Sequence, residues 1–349
     1  MIRKNISVVI CLALLASGCA TVSGPAVSQG EIEEAREALR AKALSYQLKQ
    51  LERVSNIGYK LVLSLPSDNV KKNYPYVGFI VASIDKYTKR LLNLDKDKGL
   101  VVVAVINNSP AQRYDVRVGD IIKSVNGKTF VKNISGFFNY IEKMPSDKVL
   151  NFKIERQGNG IEVQLMPQPI PLNVHFQMVD MPEVNAAATA NNYILYTYGM
   201  VKFTQSDDEI AVVLGHELAH LVRGHLSKIQ GAELLNVLLA LALGIVVEYQ
   251  SPGSGSAVMR SSQDVGRIFS TKYSRDLENE ADYFGMQYVY NAGYNLESGV
   301  NVWERFAIEL PQSMVSNFLD THPSSPERMV RIQKIIKELK TKNSQIVPK

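Results

Sequence analysis

Cysteine is nearly absent from this sequence of 349 residues; there are two, Cys11 and Cys19. Both fall where Arg3 and Lys4 lead into an apolar run over residues 8–16 and then into Ser17 and Gly18, the pattern of a secretory signal. The rest of the chain therefore folds without a disulfide, despite the oxidising compartment such a signal leads to, and its stability must come from burial. Charge of one sign is scarce too. The formal charge of +5 falls to +3 without Arg3 and Lys4, and basic residues are not interleaved with aromatics, so no nucleic acid is expected as a partner. Long hydrophobic runs are also missing. The N-terminal run and residues 237–247 both fall short of the roughly 20 residues a membrane span needs. The chain beyond residue 18 exceeds one ordinary core, which predicts two domains.

One short stretch carries recognisable chemistry: His216, Glu217, Leu218, Ala219 and His220. At about 100° per residue, positions four apart on a helix fall about 40° from alignment, so His216 and His220 leave one face and can grip one ion. Glu217 beside them is placed to take a proton from a water held there. Ser206 and Glu209, followed by the apolar Ile210, Val212, Val213 and Leu214, form a capping box that starts this helix, and Gly224 suits its end. A third ligand is expected from a second helix. Glu278 and Asp282, again four apart, share a face there: Glu278 to bind metal, Asp282 to hold a histidine N–H from behind. Glu280 falls about 200° from Glu278 and faces elsewhere, while Arg275 either orders Glu278 or Asp282 or forms a local ion pair.

The HELAH stretch, the later SRDLENEAD (residues 274–282) and Thr321-His322-Pro323 resemble the gluzincin metallopeptidases related to HtpX, BepA and the CAAX prenyl proteases. The resemblance covers about half the chain, with its three motifs in the right order. An HExxHxxGxxH site is excluded, because Gly224 and His225 fall at the wrong offsets. The resemblance implies an α+β fold: a mainly helical zincin-type domain with a small sheet. It also implies one zinc ion on His216, His220 and Glu278, with Glu217 as general base. His322 would reach the active site, either to bond the oxyanion or to occupy a zinc position at rest. His225 lies about 180° around the helix from His216, which points to packing or capping. His175 sits in a strand with no partner evident in sequence.

At the N-terminus, Ala16-Ser17-Gly18-Cys19 resembles a bacterial lipobox, which implies that residues 1–18 are a lipoprotein signal peptide and that Cys19 carries lipid. An ordinary signal or a short anchor helix is the alternative. Residues 19–30 read as a tether. Over residues 31–73 an apolar stripe of Leu44, Leu48, Leu51, Val54, Ile57 and Leu61 predicts a helix stopped by Pro66, packed on the protease or in a coiled coil. Residues 74–169 then alternate strand-like runs with turn signals such as Asn126-Gly127. Gly99-Leu100-Val101-Val102-Val103, Ser109-Pro110-Ala111 and residues 118–127 within them resemble a bacterial PDZ domain. Tyr76, Val77, Gly78 and Phe79 would be its carboxylate-binding loop, taking the C-terminus of a peptide that adds as a strand. A structural insert with a closed groove is the alternative.

From residue 170 to 345 the catalytic domain is expected. Asn191 and Asn192 turn the chain into a strand of Tyr193, Ile194, Leu195 and Tyr196, whose free edge is expected to pair with substrate. Residues 232–262 read either as a buried core helix with a loop or as a lid or membrane-touching hairpin. A final helix from Pro326 places Val330, Ile335, Ile336 and Leu339 on an apolar side, with its lysines on a solvated face. Together these readings predict a zinc-dependent endopeptidase, lipid-anchored in the bacterial envelope and facing the periplasm, with the outer membrane favoured. Unfolded or misassembled proteins would be its substrates and a C-terminal peptide its PDZ ligand. A tethered PDZ chaperone or adaptor with a capped or structural zinc site is the competing class, and a non-proteolytic zinc hydrolase a third.

Overall fold

The structure, a computed structural model, describes residues 24–25, 27–66, 72–131, 133–189, 191–226, 273–310, 318, 322 and 326–344. The expected signal, Cys19, part of the tether and residues 232–262 lie outside the described residues. The described residues fall into two compact units, one up to Leu39 and one from Arg40. In the first, Ser28 caps the start of helix α1 (Gln29–Leu63): its hydroxyl accepts from the Glu31 N–H at 3.2 Å, and the Glu31 carboxylate accepts from the Ser28 N–H at 2.7 Å. The other elements belong to the second unit, where α1 buries Leu44, Leu51, Val54, Ile57 and Leu61. Gly58 lets the helix settle on Phe176; a Cβ there would lie 2.3 Å from that ring.

Strand β1 (Tyr74–Tyr76) pairs antiparallel with β8 (Gln168–Ile170), so the chain enters and leaves the intervening module side by side. Between them come β2 (Phe79–Ser83), α2 (Lys86–Leu91), β3 (Leu100–Val105), α3 (Pro110–Arg113), β4 (Ile121–Val125), β5 (Lys128–Thr129), α4 (Ile134–Glu142), β6 (Leu150–Arg156) and β7 (Asn159–Leu165). The sheet order is β2-β3-β4-β6-β7, with β5 on β4. Asn126 and Gly127 take φ of +49° and +80°, the left-handed pair a two-residue hairpin between right-twisted strands requires. Alternation along β6 buries Leu150, Phe152 and Ile154 against Phe137 of α4. At residues 114–117 the chain turns through Asp115 at φ +56°, and Arg156 ties the turn down by bonding buried Asp120 at 2.7 Å.

The second region holds β9 (His175–Val179), β10 (Ala186–Ala188) and β11 (Tyr193–Thr197) in the order β10-β11-β9. This corrects the expectation for Tyr193, Ile194, Leu195 and Tyr196. β11 is the middle strand, antiparallel to β10 and parallel to β9, and neither of its edges is free. The edge strands are β10 and β9, and β10 is the one beside Glu217, because the turn at Asn192, φ +61°, folds the segment before it back onto β11. Helices α5 (Tyr198–Phe203), α6 (Asp207–Val222), α7 (Arg275–Asn291), α8 (Leu296–Gly299), α9 (Asn301–Glu309) and α10 (Pro326–Ser344) complete the region. Among the described residues, no helix is long and apolar enough to cross a membrane.

Ser206 caps α6 by accepting from the Glu209 N–H at 3.2 Å, while the Glu209 carboxylate returns to the N–H of Gln205 at 2.7 Å. Arg305 clamps that buried carboxylate through two bonds of 2.7 and 2.8 Å. The decisive packing is the crossing of α6 over α7. A Cβ on Gly285 would lie 2.9 Å from the Gly215 carbonyl group and from the His216 nitrogen, so two glycines let the backbones touch. On α10 the buried apolar positions include Ile332, Ile335, Ile336 and Leu339; Val330 is 51% exposed, since the helix face turns away from that position.

Candidate metal centre

Helix α6 brings His216, Glu217 and His220 to the crossing, α7 brings Glu278 and Asp282, and His322 arrives from the segment before α10; all six are buried. His216 Nε2 lies 3.1 Å from His220 Nε2 and 3.5 Å from Glu278 Oε2, and His220 Nε2 lies 3.4 Å from Glu278 Oε1. A tetrahedral ion with bonds of about 2.0–2.1 Å sets its ligand atoms about 3.3 Å apart, so these three groups fit zinc. The fit has a second support: Glu278 Oε2 and Glu217 Oε1 are buried without a hydrogen bond. Arg328 Nη1, 3.4 Å from the one, and His322 Nε2, 3.3 Å from the other, lie near without bonding, so each oxygen keeps a lone pair for a cation or a proton-bearing group.

His322 Nδ1 lies 3.1 Å from His216 Nε2 and 2.9 Å from Glu278 Oε1, close enough to serve as the fourth corner of such a site, and its Nε2 lies 3.3 Å from Glu217 Oε1. Potential ligand atoms of His216, His220, Glu278 and His322 all fall within 4.8 Å of one another. The other oxygen of Glu217 accepts from the Ala188 N–H at 2.7 Å, which ties the expected base to the open edge of β10.

Behind the candidate ligands, His216 Nδ1 meets Asp282 Oδ1 at 3.0 Å. Asp282 is held in turn by Arg328, whose Nε and Nη2 reach its two oxygens at 2.8 Å each. Arg328 also donates to the His322 carbonyl at 3.1 Å and lies 3.8 Å over the Trp303 ring. Arg275, read as ordering Glu278 or Asp282 or as forming a local ion pair, is exposed at the first position of α7. Sequence reasoning passed over Arg328, although it follows closely on His322 in the chain. It missed Tyr273 as well, whose ring stacks on His220 at 3.8 Å; a lone tyrosine before a helix cap carries no signal of its own.

Electrostatics follow from crowding. Burial would lower His216, but the charges of Glu278 and Asp282 beside it raise its pKa to about 9. His220 is pushed down to about 3 by burial. Burial also raises Glu217, and although it acts on Glu278 in the same sense, the neighbouring His322 and His216 hold that carboxyl well below the usual range. The carboxylates of Glu278 and Asp282 thus favour positive charge at His216, which a divalent cation would also supply.

Two helix-borne histidines and a carboxylate from a second helix, with a carboxylate base beside them, define a metallopeptidase centre. Residues 153–336 match the model of peptidase family M48 and residues 70–166 that of the PDZ domain. The chain belongs to peptidase family M48, whose metal is zinc, and carries a PDZ domain. Among relatives, it is 30% identical over 175 residues to mitochondrial metalloendopeptidase OMA1 of Danio rerio, covering 48% of this chain and 36% of that protein. It is 31% identical to metalloprotease YcaL of Escherichia coli, over 46% of this chain and 61% of that one. Identity to the beta-barrel assembly-enhancing protease of Yersinia pestis is 24%, over 52% and 38%. The matched part thus spans about a third to three fifths of these relatives. A solved HtrA3 PDZ domain with a phage-derived ligand is 22% identical over 28% of this chain and 88% of that one, with a TM-score of 0.25.

Proposed function

We propose that this chain is a zinc-dependent endopeptidase, held at the bacterial envelope by a lipid on Cys19, that hydrolyses peptide bonds of misfolded or unassembled envelope proteins. One observation carries the reading: Glu217 lies against both the ligand cluster and the free edge of β10. Zinc on His216, His220 and Glu278 would supply a polarised carbonyl and an acidified water. The chain's own residues do the rest. An extended substrate adds to β10, where the carbonyls of Ala186 and Ala188 face away from β11, their N–H groups being held by Asn185 Oδ1 and Glu217. Glu217 takes the proton of the attacking water and passes it to the leaving amine. His322, 3.3 Å from Glu217, is placed to bond the developing oxyanion once it leaves the fourth corner. The PDZ domain would select substrates or adaptors by their C-termini. The relatives named for beta-barrel assembly, and a family resemblance at the N-terminus, support the envelope setting.

The position of His322 Nδ1 favours a second reading, in which the site is capped and the protein acts as a tethered chaperone. Cleavage of an unfolded protein by the purified chain and by Glu217→Gln, with bound zinc quantified in both, separates the two. The expected result is one zinc per chain in each and turnover reduced about 10²–10⁴-fold in the variant. Zinc in both without cleavage in either would establish the cap, and absence of zinc from both would remove the assignment.

A further inference from the structure

Helix α6 ends in a way that its sequence periodicity does not foretell. Gly224 takes φ +74°, its N–H donates to the Leu221 carbonyl at 3.2 Å, and the next N–H, of His225, donates to the carbonyl of His220 at 3.0 Å. This is the paired bonding of a Schellman cap, and it folds the chain back so that residue 225 returns beneath residue 220. The helical angle that puts His225 on the far side no longer applies. Its side chain, 3% exposed, places Nδ1 3.0 Å from Nδ1 of His220 and Nε2 3.2 Å from Glu280 Oε2. Arg223 Nε holds the other oxygen of Glu280 at 2.6 Å, with its guanidinium 4.2 Å over the Phe284 ring.

We propose that His225 is a positioning residue that fixes the orientation and tautomer of His220, with Glu280 and Arg223 as its support. The protons can be placed in only one way if His220 is to offer Nε2 to an ion. Nδ1 of His220 then carries hydrogen and donates to Nδ1 of His225, which leaves Nε2 of His225 protonated and donating to Glu280. Both zinc histidines thereby end on an arginine-clamped carboxylate. His216 reaches Asp282 and Arg328 directly, whereas His220 reaches Glu280 and Arg223 through one imidazole. Groups behind a ligand that fix its tautomer typically change metal affinity about 10–100-fold when removed.

The proposal rests on His220 being a zinc ligand, so the test reads zinc itself. Zinc affinity is measured by chelator competition, and the absorption of cobalt(II) in the same site is recorded, for the full chain and for His225→Leu, His225→Asn and Glu280→Gln. Melting of the zinc-free proteins serves as the control for folding. In His225→Asn the amide oxygen can accept from His220 Nδ1 where the imidazole did, so this variant keeps the acceptor while losing the ring. The expected result is zinc affinity lowered about 10–100-fold in His225→Leu, restored to within about threefold in His225→Asn, and lowered less in Glu280→Gln. The cobalt spectrum should shift in His225→Leu alone. Equal affinity in His225→Leu and the unaltered chain overturns the proposal while leaving the zinc site standing, as does equal loss in His225→Leu and His225→Asn. If His225→Leu fails to fold, weakening in Glu280→Gln with affinity kept in His225→Asn sustains the proposal, whereas unchanged affinity in Glu280→Gln overturns it by removing Glu280 from the chain of bonds. No zinc on the unaltered chain would instead defeat the metallopeptidase reading.

Discussion

Arg328 is the side chain on which most of the buried charge depends. It meets both oxygens of Asp282, lies 3.4 Å from Glu278 Oε2 and packs on Trp303, all out of solvent. Removing one member of a buried ion pair leaves the other charge uncompensated, a loss of about 3–5 kcal/mol. Arg328→Met is therefore expected to destabilise the zinc-free protein by that amount in urea, and to weaken zinc binding through the freed Asp282. Arg328→Lys should recover only part, because a single ammonium cannot match both oxygens in one plane. A second residue-scale prediction concerns protons. His216, raised to about 9, carries a proton in the zinc-free site at neutral pH, while zinc requires it neutral. Metal uptake should then release a proton below pH 9, and apparent affinity should rise with pH up to that value and level off above it. Calorimetric titration in two buffers of different ionisation enthalpy measures the proton count; no difference between buffers would refute it.

At the scale of elements, the crossing of α6 over α7 makes the site. A methyl on Gly285 would meet the backbone of residues 215 and 216, atoms that cannot rotate aside. Gly285→Ala is thus expected to cost about 1–3 kcal/mol by overpacking and to lower zinc affinity by displacing Glu278 from His216, whereas Ala at exposed Glu304 of α9 should do neither. Thermal melting and chelator competition check both. This crossing also shows where the sequence was legible. His216, His220, Glu278 and Asp282 could be placed on shared helix faces because four-residue spacing is a local property. That Gly215 and Gly285 meet, that Arg328 and not Arg275 reaches Asp282, and that β10 and not β11 has the open edge are facts of chain return between distant segments. The Schellman turn at Gly224 was readable as a helix end, but its effect on His225 depends on φ at one residue. In the PDZ region strands and hairpin turns stood out, while α4 went unread although its buried Ile134, Phe137 and Ile141 follow a helical period.

On the scale of the whole second unit, the PDZ domain and the catalytic sheet line one cavity together. Strand β2 ends its sheet, and the edge where a peptide would add faces a cavity of about 100 Å³ lined by Phe79 and Val81 of β2, Ile134 and Phe138 of α4, Leu51 of α1 and His175 of β9. Peptide-sized ligands occupy pockets of about 300 Å³ or more, so a captured C-terminus must part these surfaces. The contact is aromatic: Phe138 packs edge-on against His175 at 5.5 Å, and His175 stacks on Tyr193 at 4.9 Å. Such pairs are worth about 0.5–1.5 kcal/mol each. His175→Ala, which leaves the PDZ residues intact, should raise the affinity of the full chain for a peptide with an apolar C-terminus about 2- to 10-fold in fluorescence anisotropy. Burial lowers the His175 pKa from 6.5 to about 4, so the closed contact is fully favoured above pH 6.5 and loses stability as pH falls towards 4. Peptide binding by the unaltered chain should strengthen across that interval, and binding by His175→Ala should change less. Equal affinity at every pH for the two proteins would show that the groove takes its ligand without parting from β9, and the PDZ domain would then report nothing to the catalytic sheet; the predicted difference would mean that a bound C-terminus is felt at β11, one strand from the edge that Glu217 holds.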